Sequence, residues 1–376
     1  MQGRSLLLPA RALTLVLATI GLAHAATTSS CPAIGAIRWD AWFGDKGVPG
    51  QAVQKSLAPA RWHARLPACA TSLAADNVRI ACDSPDEMKT EIDQAKRAGI
   101  AYWAFDVYSE SDPMNAGLRT YLASPSKAQI GFAILSEMDK WGNRTTYRPV
   151  IERYAQLMKE PSYQKTDDGR PVFFLAFVSD SGLDSRFGGR AAFAAIVDEF
   201  KSLVRAAGQK DPYIVLLEGN VDKAKGLIHD LKLDADSAYA VSDNNVKNGT
   251  YKQLADTTSA FWSRSAGAGL AVVPPVMTGW DRRPRVMNPV PWEKAPASNE
   301  EIDHFYAAPK PAELQAHLAA ALRFAQRPAP AGTFKSVLVY AWNEFDEGGW
   351  LAPTQGDGTT RLDAVRQALS DVCPGR

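Results

Sequence analysis

Two acids stand three residues apart near the end of the chain. Glu344 and Glu347 close an apolar run, VLVYAWNEFDEGG at 337–349. If the chain turns helically there, their Cβ atoms lie about 5–6 Å apart. Carboxyls about 5–5.5 Å apart suit retaining hydrolysis of a glycosidic bond, whereas a wider pair leaves room for water and inverts. Close carboxylates also push one pKa up, so one of them stays protonated and serves as the acid. Gly348 and Gly349 leave space for a ligand beside the backbone. Asp346, between the two glutamates, is expected to be a neighbour without a chemical role.

Other polar and aromatic residues cluster where apolar runs end. The first run ends in Trp39, Asp40 and Trp42, and the second in Trp103, Asp106 and Tyr108. The third gives Glu137, with Trp141 just beyond. Later runs give Glu218 and Asn220, then Asp243 and Asn244, then Trp280 and Asp281 followed by Arg282, Arg283 and Arg285. The last gives Trp342 and Asn343 beside the two glutamates, and Trp350 after the glycines. Seven of the ten tryptophans fall at these ends. Tryptophan joins a large apolar face to one N–H, which suits a ligand with apolar faces and polar edges, such as a sugar ring.

Composition removes several alternatives. With 42 Lys+Arg against 41 Asp+Glu, the chain lacks the basic excess that nucleic acid requires. Its five histidines are scattered, without metal-binding spacing, so no metal is expected. There is no Walker A pattern, strand-linked GxGxxG or GxSxG elbow. No organic cofactor is expected either.

These residues need elements to carry them. Apolar runs begin at Ile34, Ile100, Ala128, Pro171, Pro212, Ser237, Leu270 and Phe334. Helix-like patterns follow: Ser84–Gly99, 150–159, 189–208, 221–233, 251–265, 311–326 and 361–372. Ser84 with Glu87 reads as a capping box, and Gly99 as a stop. Near-continuous apolar strands alternating eight times with helical segments predict a single (β/α)8 barrel, with active-site residues at the C-terminal ends of its strands. Two loops, 44–83 and 282–310, are longer than a barrel needs.

The first 25 residues read as a secretory signal. Arg4 and Arg11 flank the start of an apolar run, Leu13–Leu22, and Ala23-His24-Ala25 is a small-x-small cleavage site. Cleavage there starts the mature chain at Ala26, secreted or periplasmic, with 26–376 as one barrel domain. No later segment is apolar enough to span a membrane. Export with four cysteines predicts disulfides: Cys69–Cys82 inside the first long loop, and Cys31–Cys373 stapling first strand to last helix.

The segment YAWNEFDEGGWLAP resembles the AWNEW-x-EG-x-x-LEP signature of WbsX-like proteins and of glycoside hydrolase family 99, within the family 71/99 type. VPPVMTGWDRRPR is similar to that group's P-G-W-D-N-T-x-R, and GRPVFFLAF to its G-K-P-V-F. ILSEMDKW stands where the group has W-x-N-E-x-W. Phe345 replaces the usual Trp, Arg282 an Asn, Ser136 an Asn, and Ala352 a Glu. The resemblance implies a retaining α-mannosidase-type barrel. Glu344 would deprotonate the 2-hydroxyl, which closes on the anomeric carbon. Glu347 would protonate the leaving group and later activate water. Direct attack by one carboxylate is the other route.

The expectation is thus a secreted, monomeric glycoside hydrolase acting on a poly- or oligosaccharide. Two other readings compete. A glycosyltransferase of polysaccharide synthesis fits the WbsX-like label, but its sugar nucleotides are cytoplasmic and no DxD motif closes a strand. A non-catalytic carbohydrate-binding barrel fits the departures, but has no need of two adjacent acids.

Overall fold

The computed structural model describes Gly3 and residues 31–44, 46–294 and 299–375. The expected signal segment and its cleavage site lie outside the described residues. The compact unit Cys31–Arg376 is built on eight parallel strands. They are β1 (Ala33–Arg38), β2 (Tyr102–Asp106), β3 (Gly131–Glu137), β4 (Val172–Ala176), β5 (Tyr213–Leu217), β6 (Ala235–Ser237), β7 (Pro275–Met277) and β8 (Ser336–Tyr340). Neighbours in sequence pair from β1 to β6, β1 pairs with β8, and β8 with β7. A bridge from Asp236 to Val272, on the segment entering β7, completes the ring. The result is a (β/α)8 barrel.

The helices that pack around the strands include α1 (Pro85–Ala98), α2 (Ala116–Ala123), α3 (Tyr147–Leu157), α4 (Arg190–Ala206), α5 (Val221–Leu231), α6 (Tyr251–Gly267), α7 (Pro311–Ala325) and α8 (Thr360–Val372). Start signals in the sequence act locally. The Ser84 hydroxyl accepts the Glu87 amide at the start of α1, and Thr250 with Gln253 forms a full capping box on α6. The sixth strand differs from expectation. It covers Ala235–Ser237, so Ser237, taken as its start, is its end. Asp236 is polar, which hides the strand from an apolar-run reading.

Strand parity divides the side chains. Tyr102 points into the barrel, stacks on Phe174 at 6.2 Å between ring centroids, and hydrogen-bonds Ser336 at 3.0 Å. With Phe334 and Tyr213 it fills the bottom of the barrel. Residues of the same parity further along these strands then reach the open end. Trp39, Asp106 and Glu137 arrive there in this way.

Both long loops hold structure. Residues 44–83 form a helix (Gly47–Leu57), a 3₁₀ segment (Ala60–Arg65) and a hairpin (Thr71–Ala74 with Asn77–Arg79), joined by Cys69–Cys82 with Cα atoms 5.6 Å apart. Cys31 joins Cys373, Cα to Cα 5.9 Å, across 342 residues of sequence. Among the described residues no helix is long and apolar enough to cross a membrane.

Candidate active site

The two glutamates are presented by a tight hairpin beyond β8. Asn343–Glu344 pairs antiparallel with Gly349–Trp350, and Phe345–Glu347 makes the 3₁₀ turn between them. The turn closes through Gly348 at φ +85°, where a Cβ would stand 2.5 Å from the Asp281 amide. That position therefore requires glycine. Neither acid is a solvated loop residue: Glu344 is 3% and Glu347 8% exposed.

Each glutamate has its own tyrosine, and both face one arginine. The Tyr239 hydroxyl donates to Glu344 Oε1 at 2.8 Å, and the Tyr340 hydroxyl donates to Glu347 Oε2. Arg285 Nη1 donates to Glu347 Oε1 at 2.5 Å, and Nη2 lies 3.4 Å from Glu344 Oε2. Arg282 Nε forms a further ion pair with Glu347 at 3.2 Å. Burial, then the neighbouring charge of Glu347, raises the Glu344 carboxyl well above the ordinary range. Burial acts the same way on Glu347, but Arg285, Arg282 and the Tyr340 hydroxyl outweigh it and leave that group below its usual value. The two carboxyls are thus pushed in opposite directions, Glu344 up and Glu347 down.

Asp346 overturns the expectation of an idle neighbour. Fully buried, it takes Arg285 Nε at 2.8 Å and Nη2 at 2.9 Å and also accepts the Ser56 hydroxyl at 2.9 Å. It therefore fixes the guanidinium that both glutamates face. Its partner Ser56 comes from the first long loop.

The acids open into a cleft of about 920 Å³ at the C-terminal end of the barrel. Of the expected residues, Trp39, Asp106, Tyr108, Glu137, Glu218, Trp280 and Arg285 line it with Glu344 and Glu347. Trp39 donates its indole N–H to the Tyr108 hydroxyl at 2.9 Å. Asp106 and Glu137, on adjacent strands, form a second acid pair. Burial, then the Glu137 charge, lifts Asp106 well above the carboxylate range, and burial raises Glu137 as well.

The remaining expected contacts are corrected. Trp103 points away from the barrel axis, fully buried against Trp342 (5.1 Å), Phe105 and Tyr121, because it has the opposite parity to Asp106. Trp342 is equally buried. Trp141 lies among Tyr154, Phe173, Phe193 and Phe200, between the strands and the helices. Trp42 packs edge-on against Phe345, and Trp350 lies under the Arg361 guanidinium. Asp40 is paired with Arg38 and receives the Asn343 amide, while Asn343 Oδ1 accepts the Trp39 backbone N–H at 2.9 Å. Asp281 is held by Arg65 and Arg283. Asp243 is exposed in a loop, hydrogen-bonded to Asn245 and Tyr306. These residues build the walls and do not line the cleft.

Sequence reasoning missed Tyr239, Tyr340, Phe177, Trp292 and Glu293. Tyr239 follows the hidden strand β6, and Tyr340 sits inside the apolar run. Phe177 (55% exposed) and Trp292 (42% exposed) present aromatic rings at the cleft, next to Tyr239 and Trp39 respectively. The long loop 282–310, which contains Trp292, was the one available signal.

No family model matches the chain, and no curated protein matches it in sequence. Among solved structures it is similar to the GH99 endo-alpha-mannosidase from Bacteroides thetaiotaomicron, with TM-score 0.57 at 12% identity over 90% of this chain and 96% of that one. The same enzyme in complex with bis-tris-propane gives TM-score 0.57 at 13% identity, over 90% of this chain and 97% of that one. At such identities the likeness is one of fold, and the shared fold is the (β/α)8 barrel.

Proposed function

We propose that this chain is an exported, monomeric glycoside hydrolase that cleaves a poly- or oligosaccharide with retention, using Glu344 and Glu347 and no metal or organic cofactor. The observation that carries this reading is the acid pair itself. Two buried carboxyls on one turn open into a large aromatic-walled cleft, and their surroundings push one up and the other down. That is the division of labour that glycosidic cleavage asks of two acids. A pure binding site has no use for two carboxyls held against one another at the cost of burying charge.

The lining also bears on the substrate. Setting aside Asp106 and Glu344, whose carboxyls are raised well above the ordinary range, it carries five carboxylates (Glu137, Asp139, Glu218, Glu293, Glu347) against four cations (Lys140, Lys223, Arg282, Arg285), a small negative excess. An acidic polysaccharide would meet repulsion there, so a neutral glycan fits better. The similar solved enzymes are endo-alpha-mannosidases, which makes α-mannan the first substrate to try.

The test is incubation of the purified chain with a panel of neutral and acidic polysaccharides, followed by analysis of released oligosaccharides. Release from a neutral glycan, lost by ~10²-fold or more in Glu344→Gln and Glu347→Gln, is expected. A folded wild-type chain that releases nothing from any of them would sink the reading.

A further inference from the structure

The cleft does not end beside the acids. Tyr239, whose hydroxyl donates to Glu344, packs its ring against Phe177 at 5.2 Å between centroids. Beyond Phe177 lies a second hollow of about 580 Å³. Glu137, Asp139, Phe177 and Ser179 line both cavities, so the two adjoin across a shared rim. Phe177 forms the sill between them, 55% exposed and held at φ +54°. The hollow lies between the segment that follows β3 and the loop from β4 to α4. Local chemistry shapes that loop. Ser179 Oγ accepts the Gly182 amide at 3.1 Å and starts a helical turn. Gly182 lies on Met138, where a Cβ would collide with the methionine methyl, and this contact closes the floor. One π-helical turn, Leu183–Phe187, then brings Ser185 and Arg186 to the edge; such turns recur at functional sites. Among the described residues, the side chains of Ser181 and Arg186 have no hydrogen-bond or ion-pair partner.

We propose that this hollow is a further sugar subsite, which takes a glycosyl unit of the same glycan after it has crossed Phe177. The class of ligand rests on the glycosidase reading above. A sugar ring offers an apolar face and polar edges. The Phe177 ring meets the face as the glycan passes the sill. The Ser181 hydroxyl and the Arg186 guanidinium, uncommitted within the protein, donate to the sugar oxygens, and Asp139 accepts from its hydroxyls. Two features select a glycan as occupant. The hollow opens onto the acid cleft and is therefore reached by whatever the cleft holds. Its lining is mainly polar, with Met138 and Phe177 as the apolar side chains, which suits neither a lipid nor an apolar peptide. The consequence is a length requirement: oligosaccharides that reach past Phe177 bind more tightly than shorter ones that fill only the acid cleft.

The probe is a size-fractionated ladder of α-mannan oligosaccharides. Binding is measured by calorimetry on the full chain carrying Glu344→Gln, so that turnover does not consume the ladder. NMR of ¹³C-methyl methionine runs in parallel, with Met138→Leu assigning the Met138 signal, because Met138 lines the hollow and not the cleft. Affinity should rise about 3–10-fold at the length that passes Phe177, the size of one added hydrogen bond or ring contact. The Met138 signal should move from that length onward and stay in place with shorter oligomers. Ser181→Trp, which fills the hollow from its edge, should abolish the step and leave short oligomers bound as before. Ser181→Ala keeps the space open and should keep most of the step. The proposal is overturned if a folded Ser181→Trp retains the whole step, if the Met138 signal does not move at saturation, or if no length binds. Binding with the step, by a wild-type chain that releases nothing from any polysaccharide, sinks the hydrolase reading and leaves the subsite standing. Turnover of the ladder without the step does the reverse.

Discussion

Asp346 and Arg285 form a two-pronged ion pair, with Nε–Oδ2 2.8 Å and Nη2–Oδ1 2.9 Å, and neither side chain reaches solvent appreciably. Breaking one partner of a buried pair typically costs about 3–5 kcal/mol when the other charge is stranded, and less here because Arg285 keeps Glu347 and Glu293. Asp346→Asn is therefore expected to lower the unfolding free energy by a few kcal/mol and to remove most turnover, since Arg285 loses its orientation. Ser56→Ala, which removes only one hydrogen bond to Asp346, should cost about 1 kcal/mol. Denaturant titration with parallel assays checks both. An Asp346→Asn protein of wild-type stability and rate would refute this role.

Phe177 and Trp292 make a second prediction. Phe177 holds φ +54°, a left-handed backbone that costs a non-glycine residue about 1–2 kcal/mol, while its ring stands 55% exposed at the cleft. Strain and exposure together point to a ring kept for contact with a ligand. Phe177→Gly should stabilise the fold by about 1 kcal/mol and weaken glycan binding about 3–10-fold, the range of one aromatic contact. Trp292→Ala should weaken binding similarly without the stability gain. Calorimetric titration with the released oligosaccharide measures both; unchanged affinity in the two variants would remove these rings from the site.

His317 gives a pH prediction. It is buried, stacks on Trp262 at 5.6 Å, and shares Nδ1 with the Tyr251 hydroxyl at 3.0 Å. That hydroxyl already donates to the Met277 carbonyl, so Nδ1 bears the ring proton and Nε2 is bare. Burial lowers its pKa to about 4 from 6.5. The folded chain thus favours neutral imidazole. The stability it lends is complete above the unfolded pKa and is lost as pH falls from about 6.5 toward 4. The loss between pH 7.5 and 5 should be on the order of 2 kcal/mol. His317→Gln should flatten that part of the stability profile. An identical acid slope in wild type and variant would contradict the assignment.

The disulfides yield a fourth. Peptide mapping without reduction should recover Cys31 with Cys373 and Cys69 with Cys82. In the chain-entropy model the long closure is worth about 6 kcal/mol and the short one about 3. Cys31→Ser with Cys373→Ser should accordingly lower stability more than the loop pair does. A Cys31 peptide linked to Cys69 or Cys82 would refute the connectivity.

The barrel was legible because its strands are buried on both faces and so read as apolar runs, and because helix starts such as Ser84 carry their own signal. The acid hairpin was legible for the same reason, as a polar break after a long apolar run. The aromatic site was read less well. Composition places Trp103 and Trp39 alike at strand ends, yet strand parity sends one to the helices and the other to the cleft. Parity needs a strand boundary correct to one residue. Trp141 and Trp350 lie beyond their strands and fold back into the walls, which no local pattern records. Tyr239 was hidden because β6 is only three residues long and carries Asp236. Asp346 looked idle because its partners, Ser56 and Arg285, are distant in sequence.

The bond between Cys31 and Cys373 has one more consequence. It turns everything between them into a closed covalent loop. A protease that cuts once within an exposed turn of this loop, such as the one around Gly208 between α4 and β5, produces no fragments. The clipped chain migrates as one molecule until a reductant is added, and its packed layers keep every neighbour they had. In a protease-rich extracellular setting, such a barrel withstands its first cut.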